Sequence, residues 1–149
     1  MTATASTPTA STPSDDSVPA TASRLAAAGI FLEGLGARDF DRLASTLAPD
    51  VNMHALLPRG AFDWDGAGEV QATFTGWFGD LERFEVMDAA VDEIGARLHL
   101  HWRLRTQSAR RGSGWFIVEQ QAYADMDDTD RITHLSLLCT GFVPEQADA

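Results

Sequence analysis

The stretch from Asp50 to Gly79 constrains the fold of this chain more than any other. Val51 to Leu57 carries apolar groups on both faces of a strand, which is typical of a strand covered on two sides. Pro58 and Gly60 end that strand, and a loop is expected to follow. A helix is then predicted over residues 66–78, with an aromatic pair at its end. Helices precede this stretch and alternating strands follow it, an order that predicts a curved sheet wrapped on helices.

Two helices are predicted before the first strand. Apolar residues recur at helical spacing from Ser23 to Gly36, and Gly36 is expected to end that helix in a left-handed conformation. Gly29 and Gly34 are costly inside a helix, so a close packing partner is expected at each of them. A shorter helix follows, which Asp39 caps and Pro49 ends.

Four long strands are predicted after the third helix, over residues 84–92, 97–107, 115–124 and 132–143. The second of them has two distinct faces, with leucines and a tryptophan opposite histidines and arginines. Strands that follow helices in this way predict an α+β fold. We expect a cone-like curved antiparallel sheet wrapped on three N-terminal helices, with a small-molecule cavity at its open side.

The composition divides the chain into one domain and two tails. Residues 1–20 are mostly Ala, Thr, Ser and Pro, and such a segment buries too little apolar surface to offset its ordering entropy. We therefore predict a disordered tail over residues 1–20, a folded domain over residues 21–144 and a short disordered C-terminus over residues 145–149.

Charge and cysteine content exclude several classes of protein. The net charge of −11, from 22 acidic and 11 basic residues, opposes the phosphate backbone of nucleic acids. No apolar run approaches the length of a membrane span. The lone Cys139 excludes an internal disulfide framework and fits a reducing cytoplasm, and its apolar neighbours indicate a buried thiol. Partners among nucleic acids and membranes are thus not expected, and a cytoplasmic location is.

A local basic cluster contains Arg103, Arg105, Arg110 and Arg111. It spans one strand end and the turn after it, a position that usually forms a solvated rim. The alternative is an anion-binding turn, because Gly and Arg together can hold an acidic group.

The chain resembles the nuclear transport factor 2 superfamily, in particular its SnoaL-like branch of polyketide cyclases and ketosteroid isomerases. The resemblance covers about Ser23 to Pro144. It implies a cone-shaped pocket, a homodimer through the outer face of the sheet and no obligatory cofactor. The residues that carry it are Ala48-Pro49-Asp50-Val51, His54 with Pro58, Gly66 to Val70, Trp77-Phe78, the segment VEQQAYAD, Asp130-Arg131-Ile132 and Leu137 to Gly141.

Enzymes of that superfamily use a pocket carboxylate or histidine as acid and base, and an apolar cavity raises the pKa of such a carboxyl group. In the cyclases the acid–base aspartate lies on the strand before the final turn. That position falls here on Gln121 or Tyr123, and neither is a carboxylate. The cyclase mechanism is therefore not expected to transfer directly.

Three residues form the predicted catalytic group. Glu119 and Tyr123 share one strand face with Gln121, and His54 lies mid-strand in the first strand. Glu119 or His54 is expected to transfer a proton, while Tyr123 or Gln121 donates a hydrogen bond to an oxyanion. The alternatives are a polar row on a dimer face for the first three residues and a satisfied core histidine for His54.

The predicted substrate-binding residues are Asp63, Trp64, Trp77, Gln121 and His134. Asp63 and Trp64 lie in the predicted loop at the mouth of the cone, whereas the neighbouring Asp65 is expected to cap the third helix. The pair His99-x-His101 has a spacing seen in metal sites, but a third ligand would have to come from Glu119 across the ladder, and the charge of the arginine neighbours disfavours a cation. No metal and no cofactor are expected.

Two classes of function remain open. The first is a cofactor-independent enzyme of isomerase, cyclase, dehydratase or epoxide hydrolase type, acting by acid–base catalysis on an apolar molecule with a carbonyl or epoxide group. The second is a non-catalytic module of the same fold that binds a small molecule or dimerises. The titratable side chains that line the cavity distinguish the two, because a cavity without His, Asp or Glu excludes this kind of catalysis.

Overall fold

A computed structural model describes residues 12–146, with side chains described from residue 22 onward. Its three α-helices are α1 (Thr12–Ala37), α2 (Phe40–Ala44) and α3 (Ala67–Phe78). Helix α1 begins at Thr12, earlier than predicted. It thereby runs through residues 12–20 of the predicted tail. Residues 1–11 and 147–149 lie outside the described residues, so disorder of those two segments stays a prediction.

The junction between α1 and α2 corrects one glycine prediction and confirms another. Arg38, not Gly36, adopts the left-handed conformation, with φ of 55°. The Arg38 guanidinium offsets this strain by donating to the carbonyls of Phe78 and Leu81 at 3.2 and 2.8 Å. A Cβ on Gly34 would lie 2.7 Å from the backbone nitrogen of Leu43, so the close packing partner exists there. A Cβ on Gly29 would meet nothing within 4 Å, so the same prediction was wrong for Gly29.

The seven strands form one curved, unclosed sheet, which confirms the α+β prediction. Their order is β2-β1-β6-β5-β4-β3. The short strand β7 lies off this path and pairs with Phe116 and Ile117 at the start of β5. Strands β1 and β6 are parallel, and all other neighbours are antiparallel. The strands are β1 (Leu47–Leu57), β2 (Gly60–Asp65), β3 (Arg83–Ile94), β4 (Arg97–Gln107), β5 (Phe116–Met126), β6 (Ile132–Cys139) and β7 (Val143–Pro144).

Strand β2 replaces the loop that was expected between the first strand and the third helix. Gly60, with φ of 134°, allows a tight turn through Pro58 and Arg59, after which β2 pairs antiparallel with β1. Phe62 and Trp64 are half-buried and alternate with exposed residues, as a strand requires. Asp63 and Trp64 therefore lie on a strand.

The inner face of the sheet packs on the helices and forms the core. Phe31 of α1 contacts the rings of Phe74 and Trp102 at centroid distances of 5.7 and 5.8 Å, so helices and sheet meet in one aromatic cluster. The outer face carries the alternate residues of the same strands. The buried inner-face side chains of the central strands are Val51, Met53, Ala55, Leu98, Leu100, Trp102, Leu104, Val118, Gln120, Ala122, Ala124, Leu135 and Leu137.

Candidate functional site

An apolar cavity of about 290 Å³ lies where the end of α3 meets the inner face of β5. Trp77 and Phe78 form the helix wall, and Val118 and Gln120 form the strand wall. Three further parts of the chain complete the lining: residues 57–59 at the end of β1, Arg111, and residues 139, 141 and 142 at the end of β6. We call this space the inner cavity.

The aromatic wall follows from the sequence of α3. Val70, Phe74 and Phe78 recur at helical spacing and are buried against the sheet. Trp77 lies beside that stripe, with its ring edge-on to Phe74 at 5.2 Å and to Trp64 at 5.9 Å. These contacts fix Trp77 at the boundary of the inner cavity without filling it.

The opposite wall depends on a close backbone contact between distant segments. Gly141 has φ of 76°, and a Cβ there would lie 2.8 Å from Cγ of Pro58. Only glycine allows both the conformation and this approach. The chain after β6 can therefore cover the end of β1, and Phe142 reaches the cavity.

Gln120 is the one polar side chain that the inner face of β5 presents to the cavity. It is 1% exposed, and its Oε1 accepts a hydrogen bond from the Trp102 indole at 2.8 Å. Because an indole N–H can only donate, this contact fixes which end of the amide is oxygen. The Gln120 Nε2 is left buried with no hydrogen-bond partner among the described residues. A buried donor without a partner costs about 1–3 kcal/mol.

Arg111 presents a second donor of this kind. It ends a 3₁₀ helix (Ala109–Arg111), and its guanidinium carbon lies 3.6 Å from the ring centroid of Phe142. Its Nη1 is buried with no hydrogen-bond partner within the described part of the chain. Burial lowers the pKa of Arg111, as does the charge of Arg110, while Asp80 opposes both. Two unpaired donors thus border one apolar cavity.

The predicted catalytic residues do not line the inner cavity. Glu119 lies on the outer face of the sheet, where it binds His101 at 2.8 Å and Arg103 at 2.9 Å. These hydrogen bonds, His101 first, lower the pKa of Glu119, which is the opposite of the shift that a general acid needs. Glu119 and Tyr123 share a strand face, as alternation predicts, and that face is directed away from the inner cavity.

Tyr123 and His54 share this outer location. The ring of Tyr123 contacts that of His99 at a centroid distance of 4.8 Å, with the planes tilted by 34°, and Tyr123 is 37% exposed. His54 is exposed and lies 2.9 Å from Asp63 across the β1–β2 pair. The polar side chains of the outer face form hydrogen bonds and ion pairs with one another. Their presence on the strand is therefore explained without a ligand cavity.

Of the predicted substrate-binding residues, only Trp77 lines the inner cavity. Asp63 contacts His54, and Gln121 contacts His99 at 2.9 Å, both on the outer face. His134 lies 2.9 Å from the Ser136 hydroxyl on the same face, and Trp64 supports Trp77 from behind. Asp65 does not cap α3, whose N-cap is Gly66; it accepts a hydrogen bond from Asn52.

The sequence analysis did not single out Gln120, and it interpreted Arg111 mainly as part of a solvated rim, with an anion-binding turn as the alternative. The signal for Gln120 was present, because Val118, Ala122 and Ala124 place position 120 on an apolar face. The two positions expected to replace the cyclase aspartate, Gln121 and Tyr123, both face outward. Their inward neighbours, Gln120 and Ala122, are not carboxylates either.

Within the described residues, no group of three His, Cys, Asp or Glu side chains is placed to hold a metal ion. His101 is engaged by Glu119, and His99 by Gln121. In the same part of the chain, no helix is both long enough and apolar enough to cross a membrane.

Comparison with known proteins shows the fold through solved structures alone. No protein-family model matches the sequence, and no curated protein matches it. An NTF2-like protein of unknown function from Burkholderia xenovorans LB400 is similar with a TM-score of 0.60 at 15% identity, covering 87% of this chain and 91% of that one.

Two similar structures carry functional names. A proposed polyketide cyclase from Xanthomonas campestris has a TM-score of 0.60 at 18% identity, covering 78% of this chain and 89% of its own. An LEH-like epoxide hydrolase from M. tuberculosis has a TM-score of 0.60 at 19% identity, covering 79% and 83%. The chain therefore has the NTF2-like, SnoaL-like fold that the sequence predicted.

Proposed function

We propose that this protein binds an apolar small molecule in the inner cavity and does not carry out acid–base catalysis there. One observation supports both parts: the cavity offers an unpaired amide donor on an apolar wall, and none of its described lining residues is Asp, Glu or His. Isomerases, cyclases, dehydratases and epoxide hydrolases of this fold type need a group that moves a proton at the substrate. Among the described residues of the lining, only Arg59, Arg111 and Cys139 have titratable side chains.

Two of the similar structures are named as a polyketide cyclase and an epoxide hydrolase, and both names support a fold whose cavity takes small molecules. Below 20% identity, shared fold leaves the chemistry of the site to its own residues. Here those residues favour the binding module over the acid–base enzyme. A cavity of about 290 Å³ is at the lower end of ligand sites and suits a small molecule.

A variant that fills the cavity tests this proposal. Val118→Phe should abolish binding of 4-phenylbutan-2-one, a small apolar ketone, because the added ring occupies the inner cavity. The measurement is a ¹H–¹⁵N NMR titration that follows the Gln120 side-chain amide. Ile117→Phe is the matched control, because Ile117 is the adjacent residue on the outer face. Equal binding by the two variants would sink the proposal.

The non-catalytic part has its own measurement. Incubation of the ketone in D₂O reports proton exchange next to its carbonyl, the step that an acid–base isomerase accelerates. We expect exchange at the rate of buffer alone. An acceleration that Val118→Phe removes would establish the enzyme in place of the binding module.

We also propose that two copies associate through the outer face of the sheet. Leu56 and Leu138 are register partners on β1 and β6, and they are 50% and 46% exposed. With Tyr123 on the neighbouring strand they form an outer apolar patch. The surrounding outer face carries both signs of charge, among them Arg97, Arg103, Glu119 and Asp125, which suits a self-complementary two-fold contact.

Sedimentation at micromolar concentration tests the homodimer. Wild-type protein should sediment with twice the chain mass, and Leu138→Glu should sediment as a monomer. Val86→Glu is the control, because Val86 is similarly exposed on the edge strand β3. A monomeric wild type at all accessible concentrations would contradict this proposal.

A further inference from the structure

Three buried side-chain nitrogens have no hydrogen-bond partner among the described residues, and two of them border the inner cavity. These are Nε2 of Gln120 and Nη1 of Arg111. Both are donors, and no carboxylate lines the same space. The cavity therefore has a donor excess that only an accepting group from outside the described chain can satisfy.

The charged side chains at the inner cavity are positive, so they also favour a ligand that accepts hydrogen bonds. Arg59 and Arg111 both line it, and neither forms an ion pair with a described residue. The neighbouring Arg110 differs, because it pairs with Asp80 at 3.2 Å. On a chain with a net charge of −11, two unpaired guanidiniums at one apolar cavity are a local positive site.

We infer that the ligand of the inner cavity is a small carboxylate with an apolar body, its oxygens accepting from Arg111 and Gln120 and its body packing on Trp77, Phe78 and Val118. This inference rests on the proposed binding function and names the class of molecule bound. A guanidinium and an amide supply planar N–H donors, which match the planar carboxylate. Desolvation of the charge of Arg111 strengthens the attraction, and burial also lowers the pKa of that group.

A carboxylate fits these donors better than the other anions that a guanidinium binds. A phosphate or sulfate brings at least three strong acceptor oxygens into the site. The described lining presents unpaired buried N–H groups on two nitrogen atoms, Nε2 of Gln120 and Nη1 of Arg111, and its walls are otherwise mostly apolar, so a third oxygen would lie against apolar surface. A carboxylate has two oxygens, and each can take one donor.

The experiment compares ligands that share one apolar body. 3-Phenylpropanoate and 4-phenylbutan-2-one differ only in that a carboxylate oxygen replaces a methyl group, and 3-phenylpropylamine carries the opposite charge. NMR titration at pH 7 should give the carboxylate an affinity about ten- to hundred-fold above the ketone, as for hydrogen bonds to charged groups. The amine should not bind, because its charge would face Arg111.

Matched variants assign the preference to the two donors. Arg111→Gln should remove the difference between carboxylate and ketone, whereas Arg110→Gln should keep it, because Arg110 faces Asp80. Gln120→Leu should weaken both ligands, and Gln121→Leu, the neighbour on the outer face, should weaken neither. Circular dichroism confirms that each variant is folded, and the amine comparison needs no variant at all.

The outcomes separate this inference from the proposed function. Equal affinities of wild-type protein for carboxylate and ketone would overturn the carboxylate inference while the binding proposal stands. Binding of the amine as tightly as the carboxylate would do the same. If no ligand of the series produces a saturable shift that Val118→Phe removes, the binding proposal itself fails.

Discussion

The two faces of β4 and β5 are built from alternate residues of the same strands, yet they differ in how their polar groups are satisfied. On the outer face, Glu119 holds His101 and Arg103, and Gln121 holds His99. On the inner face, Gln120 holds Trp102 with one end of its amide and has nothing at the other. The outer face has many polar side chains, and these are paired with one another. The inner face has few polar side chains, and one of them, Gln120, has a buried N–H group without a partner among the described residues.

This difference teaches where to look for a ligand. Titratable residues attract attention in a sequence, but here they neutralise one another across a solvated face. A single amide in an apolar wall carries more information, because leaving its donor unpaired has a cost that a ligand can remove. The missing partner, more than the reactivity of a side chain, marks the candidate site.

The largest expected effect separates the faces by stability. Leu100→Ala should lower the free energy of unfolding by about 2–5 kcal/mol, because Leu100 is fully buried on the inner face and its removal leaves a cavity. His101→Ala, the next residue on the outer face, should cost about 1 kcal/mol or less. Urea denaturation measures both. Similar costs for the two variants would remove the distinction between a packed and a solvated face.

A smaller effect concerns the buried pair of Trp102 and Gln120. Gln120→Leu leaves the indole N–H unpaired and should cost about 1–3 kcal/mol. In the double variant Gln120→Leu/Trp102→Phe no unpaired group remains, so its cost should be less than the sum of the two single costs. The outer pair His99 and Gln121 should show weaker coupling, since water can replace either partner there. Strict additivity for the inner pair would contradict the hydrogen bond.

The smallest effect is a pH dependence from Glu119. Its pKa is lowered from the ordinary 4.5 in the folded protein, mainly by the hydrogen bonds of His101 and Arg103. The stabilisation is therefore present above the pKa of the unfolded chain and is lost as the pH falls through the folded pKa. Comparison with Glu119→Gln in urea should give less than about 1 kcal/mol at pH 7, because the group is partly solvated. The difference should shrink below pH 4.5; a constant difference down to pH 3 would exclude this origin.

Local patterns in the sequence were sufficient for most of the fold. The two-faced pattern of β4 and the apolar stripe of α3 predict their buried sides correctly, because each depends only on neighbours within the element. Strand β2 was missed because it is six residues long and contains two aspartates. Pairing of β1 with β6 depends on residues from opposite ends of the domain, which no local pattern contains.

The site was harder to predict than the fold for a physical reason. Alternation shows that Glu119 and Gln120 face opposite ways, and the apolar neighbours of Gln120 indicate that it faces inward, but neither pattern shows that a cavity lies there. The partners that decide the matter are distant in sequence: Trp102 for Gln120, and Phe142 for Arg111. A lone glutamine also forms no recognisable motif, whereas the histidines and the glutamate on the outer face suggest one.

The parallel pairing of β1 with β6 has a consequence for the order in which the protein can be completed during synthesis. Asn52 pairs with His134, so β1 has one unpaired edge until residues 132–139 have left the ribosome. The β1–β2 hairpin can form early. The apolar inner residues Met53 and Ala55, however, are not flanked by their partners Leu135 and Leu137 until β6 has been synthesised. A nascent chain that stalls before Ile132 thus exposes an apolar strand edge, the kind of surface that chaperones bind and that promotes aggregation.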